Sequence, residues 1–443
     1  MINNNQIYDT IIIGGGPAGL FCAANISIEH AEKGKYNGNS DNKILILEKK
    51  KLCGRKLLIT GTGQCNITNK EEIKKFPAHY GGNGNFLKPS LSSFSNRDLI
   101  SFFESRGLPL VTDKNGKVFP ESKKASDVLD ILISECEKKG VLIKTGDAVI
   151  KTEYQDNKRP GDLGLSDINL SDEHPGGRFI VHTENDRYEC RNLVVATGGM
   201  TYPATGSTGD GYKFASGFGH TVISPSPALA AVYIRDFELS DLSGISFEGV
   251  KISLFRDNCK MSEQSGDLLI THKGFSGPCI LHLSRHILPG DILKISFISG
   301  KNPEIFRQDI TEKIEESSTK TVRKVLTESG LPERFVKKYL EISGISADLT
   351  CAHFNKKMRN RIISGLLGYE VLVDSLSGLN EAMVTKGGVD LKEINRKTLE
   401  SKIIPGLYFI GEVSDIDGDT GGYNLQAAFS MAFAAARSIS GKK

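Results

Sequence analysis

The sequence predicts an α/β fold in which the first and last parts of the chain build one largely parallel sheet. A β-rich insert and a small helical insert separate them. Three observations predict it. Residues 8 to 30 read as strand, glycine turn, helix. Fully apolar strand patterns recur at Lys43 to Lys49, near Leu193 to Thr197 and at Gly406 to Glu412, as expected for strands covered on both faces. Between about 204 and 368 the pattern changes, first to strands with glycine turns and then to charged helices.

In order along the chain, "TIIIGGGPAG" opens with a buried strand from Thr10 to Ile13. "EHAEKGKYNGNSDN", polar and turn-rich, is expected to be an exposed loop insertion before the second strand. Residues 97 to 140 look helical around a hairpin at Asn115-Gly116, whose apolar flanks supply the strands. "GVLIKTGDAVIKTEY" reads as two strands. Residues 155 to 177, rich in Asp, Gly and Pro, read as a loop. "RFIVHTENDRYECRNLVVATGG" reads as a hairpin and a buried strand. The expected division is 1–203 for the first part of the sheet domain, 204–302 for the β-rich domain and 303–368 for the helical subdomain. Residues 369–443 return along the edge of the β-rich domain to the sheet.

Composition sets limits. The 443 residues are 39% hydrophobic and 25% charged, with a net charge of +3, ordinary for a globular protein. No basic stripe of the kind that marks nucleic-acid binders is evident, so no nucleic-acid partner is expected. No run of 18 apolar residues exists, so no membrane insertion is expected. None of the eight cysteines forms a C-x-x-C pair, so no metal site is expected, and reduced thiols in the cytoplasm are the default.

The chemistry concentrates in glycine motifs. Gly14, Gly16 and Gly19 form G-x-G-x-x-G between a strand and a helix, with Pro17 and Ala18 opening that helix. Glycines let backbone approach a pyrophosphate, and the helix N-terminus offers N–H donors. Glu48 ends the second strand, where an acid accepts from a ribose, and Lys49 follows it. Glu48 lies 29 residues after Gly19 against the usual spacing of about 20, and the loop insertion accounts for the excess. Ala196, Thr197 and Gly198 end a later strand with small residues. Gly411 and Glu412 end the last strand, and Gly422, Tyr423, Asn424 and Leu425 open the final helix. Together these point to FAD rather than NAD. Asp415 and Asp417 are candidates for ribityl hydroxyls, or else solvated loop and cap residues.

The stretch "CGRKLLITGTGQCNITN", Cys53 to Asn69, fits neither helix nor core strand. With "ATGGMTYPATGSTGDGYKFA", "LLITHKGFSGPCIL" and "PGLYFIGEVSDIDGDTGGYNLQ", it resembles the bacterial NAD(P)/FAD-dependent oxidoreductases of the YhiN/BaiN type, which include aminoacetone oxidase-like members. Nearly the whole chain takes part. Members often carry "SGGGRCN" where this chain has "TGTGQCN", and many have an aromatic at the position of Ala427.

The resemblance implies a Rossmann-like, glutathione-reductase-like FAD domain with an inserted β-barrel-like domain and a small helical domain. It implies that Arg55 and Lys56 offer charge to phosphate. Thr60, Gly61, Gly63, Cys65 and Asn66 would lie beside the ribityl chain and ring, with Ala148 and Val149 also at the cofactor. Cys65, twelve residues from Cys53, is read as a packing thiol and not as half of a redox disulfide. Asp210, in a T-G-D-G segment like that of fumarate-reductase-like flavoproteins, is carried over as an FAD contact, or else is a turn aspartate.

His272 and Lys273 precede a glycine turn and are the candidate catalytic pair, His272 moving a proton while hydride goes to the flavin, or else bonding its own loop. Ser276 and Pro278 are expected to cap and open a helix. No second G-x-G-x-x-G unit is present, so NAD(P)H would bind transiently or not at all. The reading is an FAD-dependent oxidoreductase of a small organic molecule, with oxygen, a quinone or NAD(P)H as co-substrate. Flavin-dependent RNA modification and non-catalytic flavin binding are the alternatives.

Overall fold

A computed structural model describes residues 7–27, 43–156, 177–299 and 302–441. The polar insertion after the first helix and most of the 155–177 loop lie outside the described residues.

The chain divides into two compact units, residues 1–226 with 384–443, and residues 227–383. The first opens with β1 (Ile7–Ile13), α1 (Pro17–Asn25), β2 (Ile44–Glu48), α2 (Arg55–Ile59) and β3 (Thr68–Asn69). It continues through α3 (Gly84–Ser93), α4 (Asn96–Glu104), β4 (Leu110–Thr112), β5 (Lys117–Pro120), α5 (Ala125–Lys138), β6 (Leu142–Thr145) and β7 (Val149–Gln155). Then come β8 (Arg178–Thr183), β9 (Arg187–Val195), α6 (Asp210–Gly217) and β10 (Val222–Ala228).

The second unit holds β11 (Val232–Ile234), β12 (Ser246–Arg256), β13 (Cys259–Ile270), β14 (Gly274–Ser276), α7 (Pro278–Leu283) and β15 (Ile292–Ser296). The helices α8 (Pro303–Glu316), α9 (Val322–Glu328), α10 (Glu333–Ile342) and α11 (Lys356–Leu367) follow, then β16 (Tyr369–Leu376). The chain returns to the first unit with β17 (Val384–Val389), β18 (Leu407–Phe409) and α12 (Tyr423–Ser440). The division therefore falls later than 204 and 368. Helix α6 stays with the first unit, and β10 pairs with β17.

The main sheet of the first unit runs β6-β2-β1-β9-β8-β7, with β18 also on β9. Strand β9 is shared along its length: Phe179 to His182 of β8 pair with its first half, Leu407 to Phe409 of β18 with Leu193 to Val195. This joins the ends of the chain in one sheet. Ile11, Ile12, Ile46 and Leu193 to Val195 are fully buried, which explains why these strands read as unbroken apolar runs. Alanine-rich α12 packs its small face inward. Phe429 meets Phe21 of α1 edge to face, with centroids 5.0 Å apart.

The Asn115-Gly116 hairpin forms as expected from its turn, Gly116 having φ +78°. Its strand β5 also pairs with β3 at Thr68 and Val118, so the end of the puzzling stretch is an edge strand. In the second unit, β11-β14-β13-β12-β15-β16 close into a barrel. Phe247 of β12, Phe297 and Phe335 of α10 meet in edge-to-face and tilted contacts in the core it shares with the helices. Among the described residues no helix is long and apolar enough to cross a membrane.

Candidate functional site

The parallel strands β1, β2, β9 and β18 end together: Ile13 pairs with Leu47 and Val195, and Val195 with Phe409. Ligands of open α/β sheets bind outside such carboxyl ends. The segments leaving this edge are the glycine turn, Ala196 to Gly199, and the run from Gly411 to Gly422.

The glycines are required by space. A Cβ on Gly14, whose φ is +111°, would stand 2.4 Å from the Ala196 carbonyl oxygen. One on Gly19 would stand 2.0 Å from the Gly14 carbonyl oxygen. Gly16 faces open space. Pro17 opens α1, where a missing N–H costs nothing, and Ala18 abuts Gly411. The helices α1, α6 and α12 start at Gly16, Gly209 and Gly422, none with a side-chain cap. Open space over Gly16 and helix starts without side-chain caps fit an extended anionic dinucleotide.

Glu48 accepts from the Gly15 N–H at 2.9 Å and the Lys50 N–H at 2.8 Å. A carboxylate has further lone pairs for ribose hydroxyls. Lys49 is paired with Asp210 and bonds Thr208 as well. Burial would raise the Asp210 carboxyl, but hydrogen bonds from Lys49 and Thr208 hold it below its usual range. Ala148 and Val149 line a cavity of about 980 Å³ together with Asp210, Lys213 and Tyr154. Thr197 fills the space beside Gly211, and Gly198 takes φ +73° against Ser207.

The Cys53–Asn69 stretch partly serves the protein itself. Arg55 is exposed. Lys56 does not stand free for phosphate: its ammonium lies 2.7 Å from Glu412 and bonds Thr201 at 2.7 Å. Glu412 also accepts from the Thr385 N–H at 2.8 Å. The Thr60 hydroxyl donates to the Leu57 carbonyl. Gly61 and Thr62 both sit in the left-handed region at φ +56°, and Gly63 at φ +87°.

Cys65 is fully buried, and burial pushes its thiol up to about 12, so the thiol stays protonated at neutral pH. Cys53, pushed up to about 11 by burial, packs under Gly15. The Asn66 amide, oriented to satisfy its partners, donates to the Val118 and Thr68 carbonyls and accepts from the Gly422 N–H at 2.9 Å. A Cβ on Gly422 would meet Thr68 backbone at 2.5 Å. Small residues are needed here because this segment presses against the start of α12.

Asp415 accepts from Asn83 at 3.0 Å and from the Gly387 N–H at 3.1 Å, and Asp417 is buried. Asn424 braces the loop through both atoms of its amide to Gly418. Leu425 is half-buried. Sequence reasoning missed His79. Its Nδ1 lies 3.0 Å from Asp419 and its Nε2 2.9 Å from Glu71, and its ring stacks on Tyr423 at 3.8 Å. The only signal was a lone histidine in "FPAHYGG".

His272 and Lys273 form the exposed turn between β13 and β14 in the second unit, with Lys273 over the Tyr233 ring. The cap of α7 is Gly277 and not Ser276, which is the last residue of β14. Gly277 has φ +94°, and a Cβ there would meet Asp267 backbone at 2.8 Å, so serine does not fit the cap position.

The fold and this edge define a dinucleotide-binding flavoprotein, an FAD-dependent oxidoreductase. The chain belongs to the HI0933-like family, whose Rossmann-domain model matches residues 8–438. It is 35% identical to the ribosomal RNA dihydrouridine synthase of Haemophilus influenzae, over 98% of this chain and 99% of that one. It is 30% identical to the protein of the same name from Escherichia coli, over 98% of each chain. It is 27% identical to the 3-dehydro-bile acid delta(4,6)-reductase of Clostridium scindens, over 96% of this chain and 97% of that one.

Proposed function

We propose that the protein reduces a carbon–carbon double bond conjugated to a carbonyl, and that its substrate is a uridine of ribosomal RNA. The observation that carries this is end-to-end similarity to two relatives named for making dihydrouridine in ribosomal RNA. The third relative is named for an enone-type reduction of a steroid acid, so one chemistry covers all three. In uracil the reduced bond is C5=C6, beside the C4 carbonyl: hydride adds to C6 and a proton to C5.

The chain's own residues have two tasks. Gly14 to Gly19 and the start of α1 hold the pyrophosphate, and Glu48 holds the ribose. An acid must supply the proton, and His272 with Lys273 remains the proposed source. FAD supplies the hydride when it has been reduced by NAD(P)H or another donor.

RNA runs against the expectation drawn from the lack of a basic stripe. Lys50, Lys51 and Arg55 nevertheless lie close in sequence just after β2, and phosphate contacts can be as local as that. A free enone, as in the steroid acid, is the second reading.

The test incubates the purified enzyme, under nitrogen with NADPH, with ribosomal RNA from cells lacking this gene. Nucleosides are then read by mass spectrometry. Dihydrouridine is expected to appear. Absence of dihydrouridine, with turnover of a 3-keto-4,6-diene steroid instead, would replace RNA by the second reading. In the active assay His272→Ala is expected to lower turnover about 10²-fold with FAD retained. Unchanged turnover removes His272 from the mechanism.

A further inference from the structure

We propose that His79 is a positioning residue: as an imidazolium bridging Glu71 and Asp419, it latches the loop Ser414–Gly422 into the shape that receives the cofactor. This rests on the FAD reading. The loop needs a latch because it has few means of its own. It carries Gly418, Gly421 and Gly422 and no regular structure, yet it must set the start of α12.

Beside bonds from Asn424, the Gly387 N–H and Asn66, a group of its restraints comes from one segment, residues 79–83. The Asp419 N–H donates to the His79 carbonyl at 2.9 Å. Asn83 donates to the Asp415 carbonyl oxygen at 2.7 Å, and Tyr80 to the Tyr423 carbonyl at 2.8 Å. The His79 ring then closes the arrangement. Both its nitrogens face carboxylates, so both must carry protons to make two hydrogen bonds. The two carboxylates lie against different ring nitrogens, an ion-pair bridge and not ligands converging on one point.

Tyr423 stacks on the ring and donates to the same Glu71 oxygen at 3.1 Å. The ionisable groups facing His79 are thus Glu71 before its segment, Asp419 on the loop, Tyr423 on α12 and the neighbouring Tyr80. Burial works against the charged ring, but the bonds to Asp419 and Glu71 overcome it and raise its pKa above the usual histidine value. The bridge is therefore complete below the ordinary histidine pKa of about 6.5 and is lost as pH rises through the raised value.

The experiment compares full-length wild type, His79→Gln and Glu71→Gln. FAD dissociation constants are measured from pH 6 to 9, and hydrogen exchange of residues 414–422 is measured on apo-protein. Wild type is expected to lose FAD affinity about tenfold across this range, the size of one charge-assisted hydrogen bond. His79→Gln is expected to bind FAD about tenfold more weakly at pH 6, with a flat pH profile and faster exchange in the loop. Glu71→Gln should shift the wild-type profile to lower pH and serves if His79→Gln fails to fold. A flat wild-type profile, or loop exchange in His79→Gln equal to wild type, overturns the latch. Wild type binding no FAD at any pH, while loop protection corrected for the intrinsic exchange rate still falls as pH rises, would overturn the cofactor reading alone.

Discussion

The turn Gly14–Gly19 and the loop Ser414–Gly422 leave the same edge of one sheet, and both lead into a helix, yet different forces hold them. The turn is held by backbone. A Cβ on Gly14 or Gly19 would stand 2.0 to 2.4 Å from a backbone oxygen, and the side-chain partner of the turn is the Glu48 carboxylate on Gly15. The loop is held largely by side chains, namely His79, Asn83, Asn424 and Asn66, beside backbone bonds at Asp415 and Asp419. Backbone packing is insensitive to pH and intolerant of substitution. A side-chain latch tolerates substitution better but titrates. One edge thus joins a rigid turn to an adjustable rim.

The comparison breaks most sharply at Gly19. Gly19→Ala is expected to destabilise the first unit by more than about 3 kcal/mol and to abolish FAD retention, because the clashing atom is a backbone oxygen that cannot turn aside. Thermal unfolding and flavin absorbance check it. Wild-type behaviour would mean that the turn is not rigid.

Lys56→Met probes the ground between the two regions. It leaves Glu412, whose side chain is 21% exposed, short of its counter-ion and should cost about 3 kcal/mol in chemical denaturation. A loss below about 1 kcal/mol would place the pair among solvent-screened surface bridges. The smallest effect is at Thr62, a β-branched residue at φ +56°. Thr62→Gly should stabilise by about 1 kcal/mol, and any loss of stability would show that the threonine makes contacts worth more than its strain.

What the sequence revealed follows the same divide. The glycine turn, the Asn115-Gly116 hairpin and the buried strands were legible because their causes are local: neighbouring residues set φ, period and burial. The β-rich character of the first insert was legible for the same reason, whereas its closure into a barrel, through β11 on the distant β16, came only with the family resemblance. His79 was not legible, since its partner Asp419 lies 340 residues away. Nor was the pairing of Lys56 with Glu412, 356 residues apart. Gly277 displaced Ser276 as a cap because a backbone neighbour from β13 occupies the space. The end of the stretch Cys53–Asn69 presses on Gly422, which no local pattern announces.

The most direct measurement is the identity of the cofactor released from purified protein by denaturation, read by mass spectrometry. The account predicts stoichiometric FAD, because Gly14, Gly16, Gly19 and Glu48 address a pyrophosphate and an adenosine ribose. FMN, which lacks both, or no flavin at all, would contradict it.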